Sequence, residues 1–258
     1  MKSESGLVWR FILFLFKLPY LLVMISLGKK NVNVLFKPLK DFWNFIYEAK
    51  ITFWLIVINI IVFIIEIFLV LNHPELINKF IFQPQDLWQF NLIPIVSSWF
   101  MHAGFAHLFG NMLFLFIFGR VVENEFKGNM LVIYFLSAII ADLLSAVMGL
   151  GGIGASGAIA GLIATGILLK PFYMTYIVVG IPIPLFLVGW LAILADISGV
   201  LVPQNTMVNH YAHLGGYITI ALIVLLVSRD KKSKMIKGFL INLVLFILLL
   251  LFAFVFGM

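Results

Sequence analysis

The chain has 258 residues, of which 63% are hydrophobic and only 11% charged, with a mean hydropathy of +1.14. That leaves too little polar surface to cover a water-soluble domain, and the length suits one compact membrane domain rather than several. The net charge is +6, but the cations fall between apolar runs and read as topology signals rather than nucleic-acid contacts; the absence of cysteine excludes thiol catalysis, thiolate metal sites and disulfides.

Residues 1–50 form an N-terminal cytoplasmic or interfacial segment. Its apolar stretch 7–28 contains Lys17 and Pro19 and has no small-x-small cleavage site, so it does not read as a signal peptide. We read it as an interfacial helix with Arg10 and Lys17 snorkelling to the headgroups, the alternative being an additional span. Seven apolar runs then follow, at roughly 51–71, 101–119, 129–148, 156–170, 182–201, 211–228 and 236–257. A span needs about 20 residues and must satisfy its own backbone, so each is expected to be a helix; the fourth is short and glycine-rich. The segment 72–100 is the longest connection. Phe80, Phe82, Trp88 and Phe90 place it partly in the membrane interface.

With the N-terminus in the cytoplasm, every Lys and Arg of the 17 except Lys79 falls on the inner side. That bias orients the chain. Spans two, four and six then run from outside to inside, and their first residues share one depth. Span two opens with His102, His107 and Asn111, span four with Gly154-Ala155-Ser156-Gly157, and span six with Asn209-His210-Tyr211-Ala212-His213. Four of the five histidines lie in this layer, and polar groups at membrane depth are functional candidates.

His107 and Asn111 are spaced i, i+4 on one face. Gly157 and Gly161 make one small-residue stripe, Ala212 and Gly216 another. If these stripes meet, Ser156 comes beside His213, a hydroxyl next to the base that activates it. A histidine layer can also hold a metal, but the spacing H-E-x-x-H is absent, since His107 leads to Leu108-Phe109-Gly110-Asn111. No metal and no cofactor are expected. Asp142 and Asp196, near the outer ends of spans three and five, are read as structural pairing partners; the alternative is that one of them orients a histidine.

Three of these motifs resemble the rhomboid intramembrane proteases: His102-Ala-Gly-Phe-Ala-His107-Leu-Phe-Gly-Asn111, Gly154-Ala-Ser156-Gly157-Ala-Ile-Ala-Gly161 and Ala212-His213-Leu-Gly215-Gly216. Gly119 and Glu123 resemble the G-x-x-x-E that follows span two in that family. The resemblance implies an all-α polytopic membrane protein, with a six-helix rhomboid core over 51–228. A basic loop and an additional C-terminal helix would occupy 229–258. It implies Ser156 as nucleophile and His213 as general base, a pair without a carboxylate. His107, Asn111 and the Ser156 N–H would form the oxyanion hole, with His102 a structural or water-retaining neighbour. Gly154, Gly157, Gly161 and Gly216 would serve helix packing.

Three positions depart from the family pattern. Trp88-Gln89 stands where a Trp-Arg pair is usual, Ala160 where some members stack an aromatic ring on the histidine, and Ile220 where glycine is usual. The histidine must therefore be held otherwise, for example by Tyr211. The expected activity is cleavage of single-span transmembrane proteins near the outer face, with lipids as the surroundings and no nucleic acid as partner. The alternative is a non-catalytic relative that binds transmembrane helices. A prokaryotic cell membrane is the simplest expected location.

Overall fold

The computed structural model describes residues 4–175, 181–202 and 208–256. Lys2 and Gly257, which the sequence reading placed in the inner segment and the last span, lie outside them. Among the described residues the architecture is helical, apart from a two-residue antiparallel pair, β1 (Met174–Thr175) with β2 (Ile183–Pro184). Among the described residues, three helical stretches are long and apolar enough to cross a membrane: Lys50–Asn72, Phe105–Val147 and Arg229–Phe252. Ser156–Leu169, Leu185–Leu201 and His210–Leu226 are shorter apolar helices.

The N-terminal segment holds more structure than one interfacial helix. Helix α1 (Glu4–Ser26) turns at Gly28, which has φ +68°, and folds back as α2 (Asn33–Tyr47). Phe11 and Phe42 stack with ring centroids 3.7 Å apart. The buried Arg120 ties α2 to the core. It donates to the carbonyl of Phe45, lies 3.5 Å from Glu48, and has its guanidinium 3.9 Å from the Phe45 ring centre.

The first span, α3 (Lys50–Asn72), begins on an acidic cap. The N–H groups of Ile51 and Thr52 donate to the two carboxylate oxygens of Glu123 at 2.9 and 2.8 Å, and the Thr52 hydroxyl adds a third bond at 2.8 Å. A carboxylate at a helix N-terminus answers both the free N–H groups and the dipole. A Cβ at Gly119 would fall 2.9 Å from Thr52 Oγ1, so the spacing Gly119–Glu123 lets one helix approach and cap another.

The connection after α3 carries three short helices, α4 (Pro74–Ile77), α5 (Pro84–Trp88) and α6 (Leu92–Ser98). Its aromatic residues divide: Phe82 is buried at 1% exposure, while Trp88 and Phe90 project at 60% and 83%. Buried Asp86 holds the turn by accepting from Gln83 N–H (2.8 Å) and the Asn91 side chain (2.9 Å). Phe82 bridges to Gly152, whose N–H donates to it at 3.0 Å. This buried carboxylate and phenyl ring anchor the connection that Trp88-Gln89 left without an obvious anchor.

Span two is α7 (Phe105–Phe114), a wider π-turn (Leu115–Gly119) and α8 (Arg120–Phe126); the chain reverses at Lys127–Asn129 into α9 (Met130–Val147). Helix α10 (Ser156–Leu169) is the central element, with every residue buried except Ser156 and Leu168. Helices α11 (Leu185–Leu201), α12 (His210–Ile218) and α13 (Ile220–Leu226) complete the core, and α14 (Arg229–Phe256) takes up the basic segment in its first turns.

Helix α10 packs mainly through small residues. A Cβ at Gly216 would enter the carbonyl of Gly157 and come within 2.7 Å of Ala160 Cβ; one at Gly161 would fall 3.3 Å from the Gly216 carbonyl oxygen. The two small-residue stripes therefore meet. A third helix joins them: a Cβ at Gly215 would lie 2.8 Å from Ala141 Cα, and one at Gly161 would collide with Ser137. Without a hydrophobic drive between helices in lipid, such backbone contact supplies the association energy. At the other end, Lys170 pairs with Glu125 at 3.0 Å, and Lys234 of α14 joins at 3.6 Å. Helix α14 docks through Asn242, which donates to the Ile167 carbonyl (3.1 Å) and accepts from Trp190 Nε1 (2.9 Å).

Candidate active site

The 14 residues of α10 rise only about 21 Å. A hydrocarbon core is about 30 Å thick, so a helix of this length running along the membrane normal is about 9 Å too short to cross it. If Lys170 meets the polar boundary at one end, a short fourth span thus leaves room at the Ser156 end of the helix. A cavity of about 900 Å³ occupies the space above it. Ser156, His213, His107, Asn111 and Asp196 all line this cavity.

Ser156 is the first residue of α10, so its N–H lacks an intrahelical acceptor and sits at the positive end of the dipole. Gly154 lies just before the helix, outside the α10–α12 contact that Gly157, Gly161 and Gly216 make. Its φ is +134°, a conformation that favours glycine. A Cβ there would come within 2.9 Å of His107 Nε2 and 3.6 Å of Asn111 Nδ2. The missing side chain thus admits both nitrogens to the backbone beside Ser156.

The hydrogen bonds define what those nitrogens offer. His107 Nδ1 accepts from the N–H of Ala103 at 3.3 Å, which places the proton of the neutral ring on Nε2. Asn111 Nδ2 is buried and donates to nothing among the described residues. Buried donors are almost always satisfied, so an unpaired amide at a cavity wall marks a place where an acceptor belongs. His102 precedes α7 rather than opening it, and lies behind His107 with ring centroids 5.0 Å apart. Its Nδ1 donates to the Phe100 carbonyl (3.2 Å), and its N–H donates to Glu66 of α3 (2.9 Å). It does not line the cavity.

Helix α12 starts on Asn209, whose side-chain oxygen accepts from the Ala212 N–H at 3.1 Å. The Asn209 amide donates to Ser145 Oγ (2.5 Å) and the Gly151 carbonyl (3.2 Å). One residue therefore caps α12 and ties it to α9 and to the approach of α10; an asparagine just before a helical run is a readable N-cap signal. The hydroxyl of Ser156 and the ring of His213 share the cavity without a hydrogen bond between them. In resting hydrolases such a bond often forms only with substrate bound.

His213 is held by Asp196, not by Tyr211. Its Nδ1 donates to Asp196 Oδ1 at 2.7 Å, His210 Nδ1 donates to the same oxygen at 2.7 Å, and the Tyr217 hydroxyl donates to Oδ2 at 2.7 Å. Asp142 has the structural pairing expected of it, accepting from Trp99 Nε1 at 2.6 Å. Asp196, His210 and His213 are also the one group among the described residues whose donor atoms converge closely enough, within 4.8 Å, to hold a metal ion. The Nδ1 atoms of both histidines and both oxygens of Asp196 are used in the hydrogen-bonded cluster.

The sequence profile of the rhomboid domain matches residues 85–230, which is more than half of the chain and includes every residue of the cavity named above. Among curated proteins, the chain is similar to rhomboid-like protein 11 of Arabidopsis thaliana, described as chloroplastic. The two are 28% identical over 200 residues, covering 73% of this chain and 69% of that protein. It is also similar to the mitochondrial rhomboid-like protein 12 of the same plant, 25% identical over 196 residues, covering 68% of this chain and 57% of that protein. These relatives are organellar and lend no support to the expectation of a prokaryotic cell membrane. Profile, helical membrane architecture and the three motifs agree: the chain belongs to the rhomboid family.

Proposed function

We propose that this protein is an intramembrane serine endopeptidase that cleaves transmembrane segments, with Ser156 as nucleophile and His213 as general base. The observation that carries the reading is the convergence of unengaged donors, His107 Nε2–H and Asn111 Nδ2–H, on the backbone beside the Ser156 hydroxyl. Peptide hydrolysis needs such donors for the oxyanion, and each is worth about 3–4 kcal/mol of barrier.

In the acylation step, Ser156 Oγ bonds to the scissile carbonyl carbon while its proton passes to His213 Nε2. The carbonyl oxygen, now an anion, accepts from His107, Asn111 and the Ser156 N–H. Collapse of this intermediate breaks the C–N bond, and His213 returns the proton to the leaving amine. A water molecule then attacks the acyl-enzyme by the same route. The recessed start of α10 lets both water and a locally unwound substrate helix reach Ser156. Helix-weakening, small residues near the cut suit the narrow space beside Gly154. The cation distribution would open this end of the cavity to the outer side.

The test is to reconstitute the purified chain in lipid with a single-span substrate carrying small residues near its outer end. Cleavage by the native protein and its loss in both Ser156→Ala and His213→Ala are expected. A fluorophosphonate should label Ser156 in the native protein and much less in His213→Ala. Substrate binding without cleavage, together with no labelling of Ser156, would replace this reading with that of a non-catalytic helix-binding relative.

A further inference from the structure

We propose that Asp196 is a positioning residue for His213: its carboxylate fixes the ring in the Nδ1–H tautomer and makes a Ser156–His213–Asp196 relay in place of an unsupported pair. The inference deepens the protease reading above and rests on it for its catalytic consequence.

The geometry is specific. His210, His213 and Tyr217 are spaced i, i+3, i+7 on α12, which puts all three on the face turned to α11. All three donate to one carboxylate, two to Oδ1 and one to Oδ2. An ionised carboxylate carries no hydrogen, so a ring nitrogen 2.7 Å from Oδ1 must supply its own, and both nitrogens facing an ionised Asp196 carry hydrogen. In a neutral imidazole this leaves the lone pair on Nε2, the nitrogen a general base must present. The opposite tautomer would put hydrogen on Nε2 and leave His213 unable to take the serine proton.

The second histidine steadies the carboxylate. A Cβ at Gly199 would collide with the His210 ring, so that ring lies against the backbone of α11, three residues beyond Asp196. Tyr217 holds the other oxygen. The carboxylate is thus pinned on both sides, and the His213 ring inherits its orientation. When His213 takes the proton it becomes an imidazolium beside an anion, a pairing present only once reaction has begun. Interactions gained at that moment lower the barrier rather than tighten ground-state binding.

The decisive variant is Asp196→Asn, which keeps the shape and removes the charge. Its amide can donate to His213 Nδ1 and so favour the wrong tautomer. We expect kcat to fall by about 10²–10⁴-fold with KM changed by less than about threefold, and thermal unfolding close to native. Tyr217→Phe removes only the support of Oδ2 and should lower kcat by about 3–10-fold. The ¹⁵N resonances of the histidine rings in lipid should report Nδ1–H for His213 in the native protein and a mixture in Asp196→Asn. This readout does not depend on turnover, so it decides the role of Asp196 even if no substrate is cleaved and the protease reading fails. A native His213 carrying its proton on Nε2, or an Asp196→Asn protein with kcat within about threefold of native, would overturn the proposal. If Asp196→Asn does not fold, Tyr217→Phe with the same spectra and kinetics decides the matter.

Discussion

Replacing Asn111 by alanine separates catalysis from stability, because the amide has no partner in the resting protein. Its Nδ2 is buried and unsatisfied, and it stands 3.6 Å from where a Cβ of Gly154 would lie. A buried donor without an acceptor costs about 1–3 kcal/mol, so its removal relieves that strain, while truncating a small side chain loses a comparable amount of packing. The two effects oppose each other, and the melting temperature should stay within a few degrees of native. In the transition state the same amide would meet the oxyanion, an interaction worth about 3–4 kcal/mol. Turnover should therefore fall by about 10²–10³-fold with KM little changed, since the interaction is absent from the ground state. The assay is steady-state cleavage of a single-span substrate in lipid, paired with thermal unfolding of both proteins. Native turnover in Asn111→Ala would remove this side chain from the oxyanion hole. A loss of activity matched by loss of fold would make its role structural and the orphaned amide incidental.

The remaining predictions probe separate parts of the molecule. Gly216→Leu should abolish activity and folding together, because its side chain would enter the Gly157 carbonyl at the α10–α12 contact; a stable, active variant would mean that the two helices have another route to close approach. Glu123→Gln should lower thermal stability by about 1–3 kcal/mol, since it weakens three charge-assisted hydrogen bonds at the start of α3; kcat should change little, because Glu123 sits at the end of the core remote from Ser156. Chelator treatment should leave turnover unchanged, because no step of the serine mechanism uses a metal. Loss of activity restored by zinc would reassign Asp196, His210 and His213 to a metal site.

The part of the site legible in the sequence is the part that helical spacing and motif order determine. His107 and Asn111 share a face at i, i+4 whatever surrounds them, and the Gly157–Gly161 stripe can approach only another stripe of small residues. Glu123 was legible as a motif member, but not as the cap of α3, because its partners Ile51 and Thr52 lie 71–72 positions away and carry no signal of their own. The second helix of the N-terminal hairpin has little signal of its own, because Lys37, Pro38 and Lys40 interrupt its apolar pattern; the burial of Phe45 and its contacts with Arg120 favour a docked helix.

Asp196 shows most clearly where sequence reasoning stops. The sequence puts it near the end of span five, as α11 (Leu185–Leu201) has it, and that position makes it a pairing candidate. Which partner it takes depends on the rotation of α11 about its own axis, since turning a helix by one residue moves a side chain about 100° around it. The rotation is set by packing along the helix, by Gly199 against the His210 ring and, about two turns from Asp196, by a Cβ position at Gly189 that falls 3.3 Å from Ile163 Cγ2. The signal that could have found it lies on the other helix. His210, His213 and Tyr217 put three polar groups on one stripe of α12, and three donors on a membrane helix face require an acceptor at their depth. With the neighbouring α11 offering Asp196 at that depth, the stripe identifies its own partner.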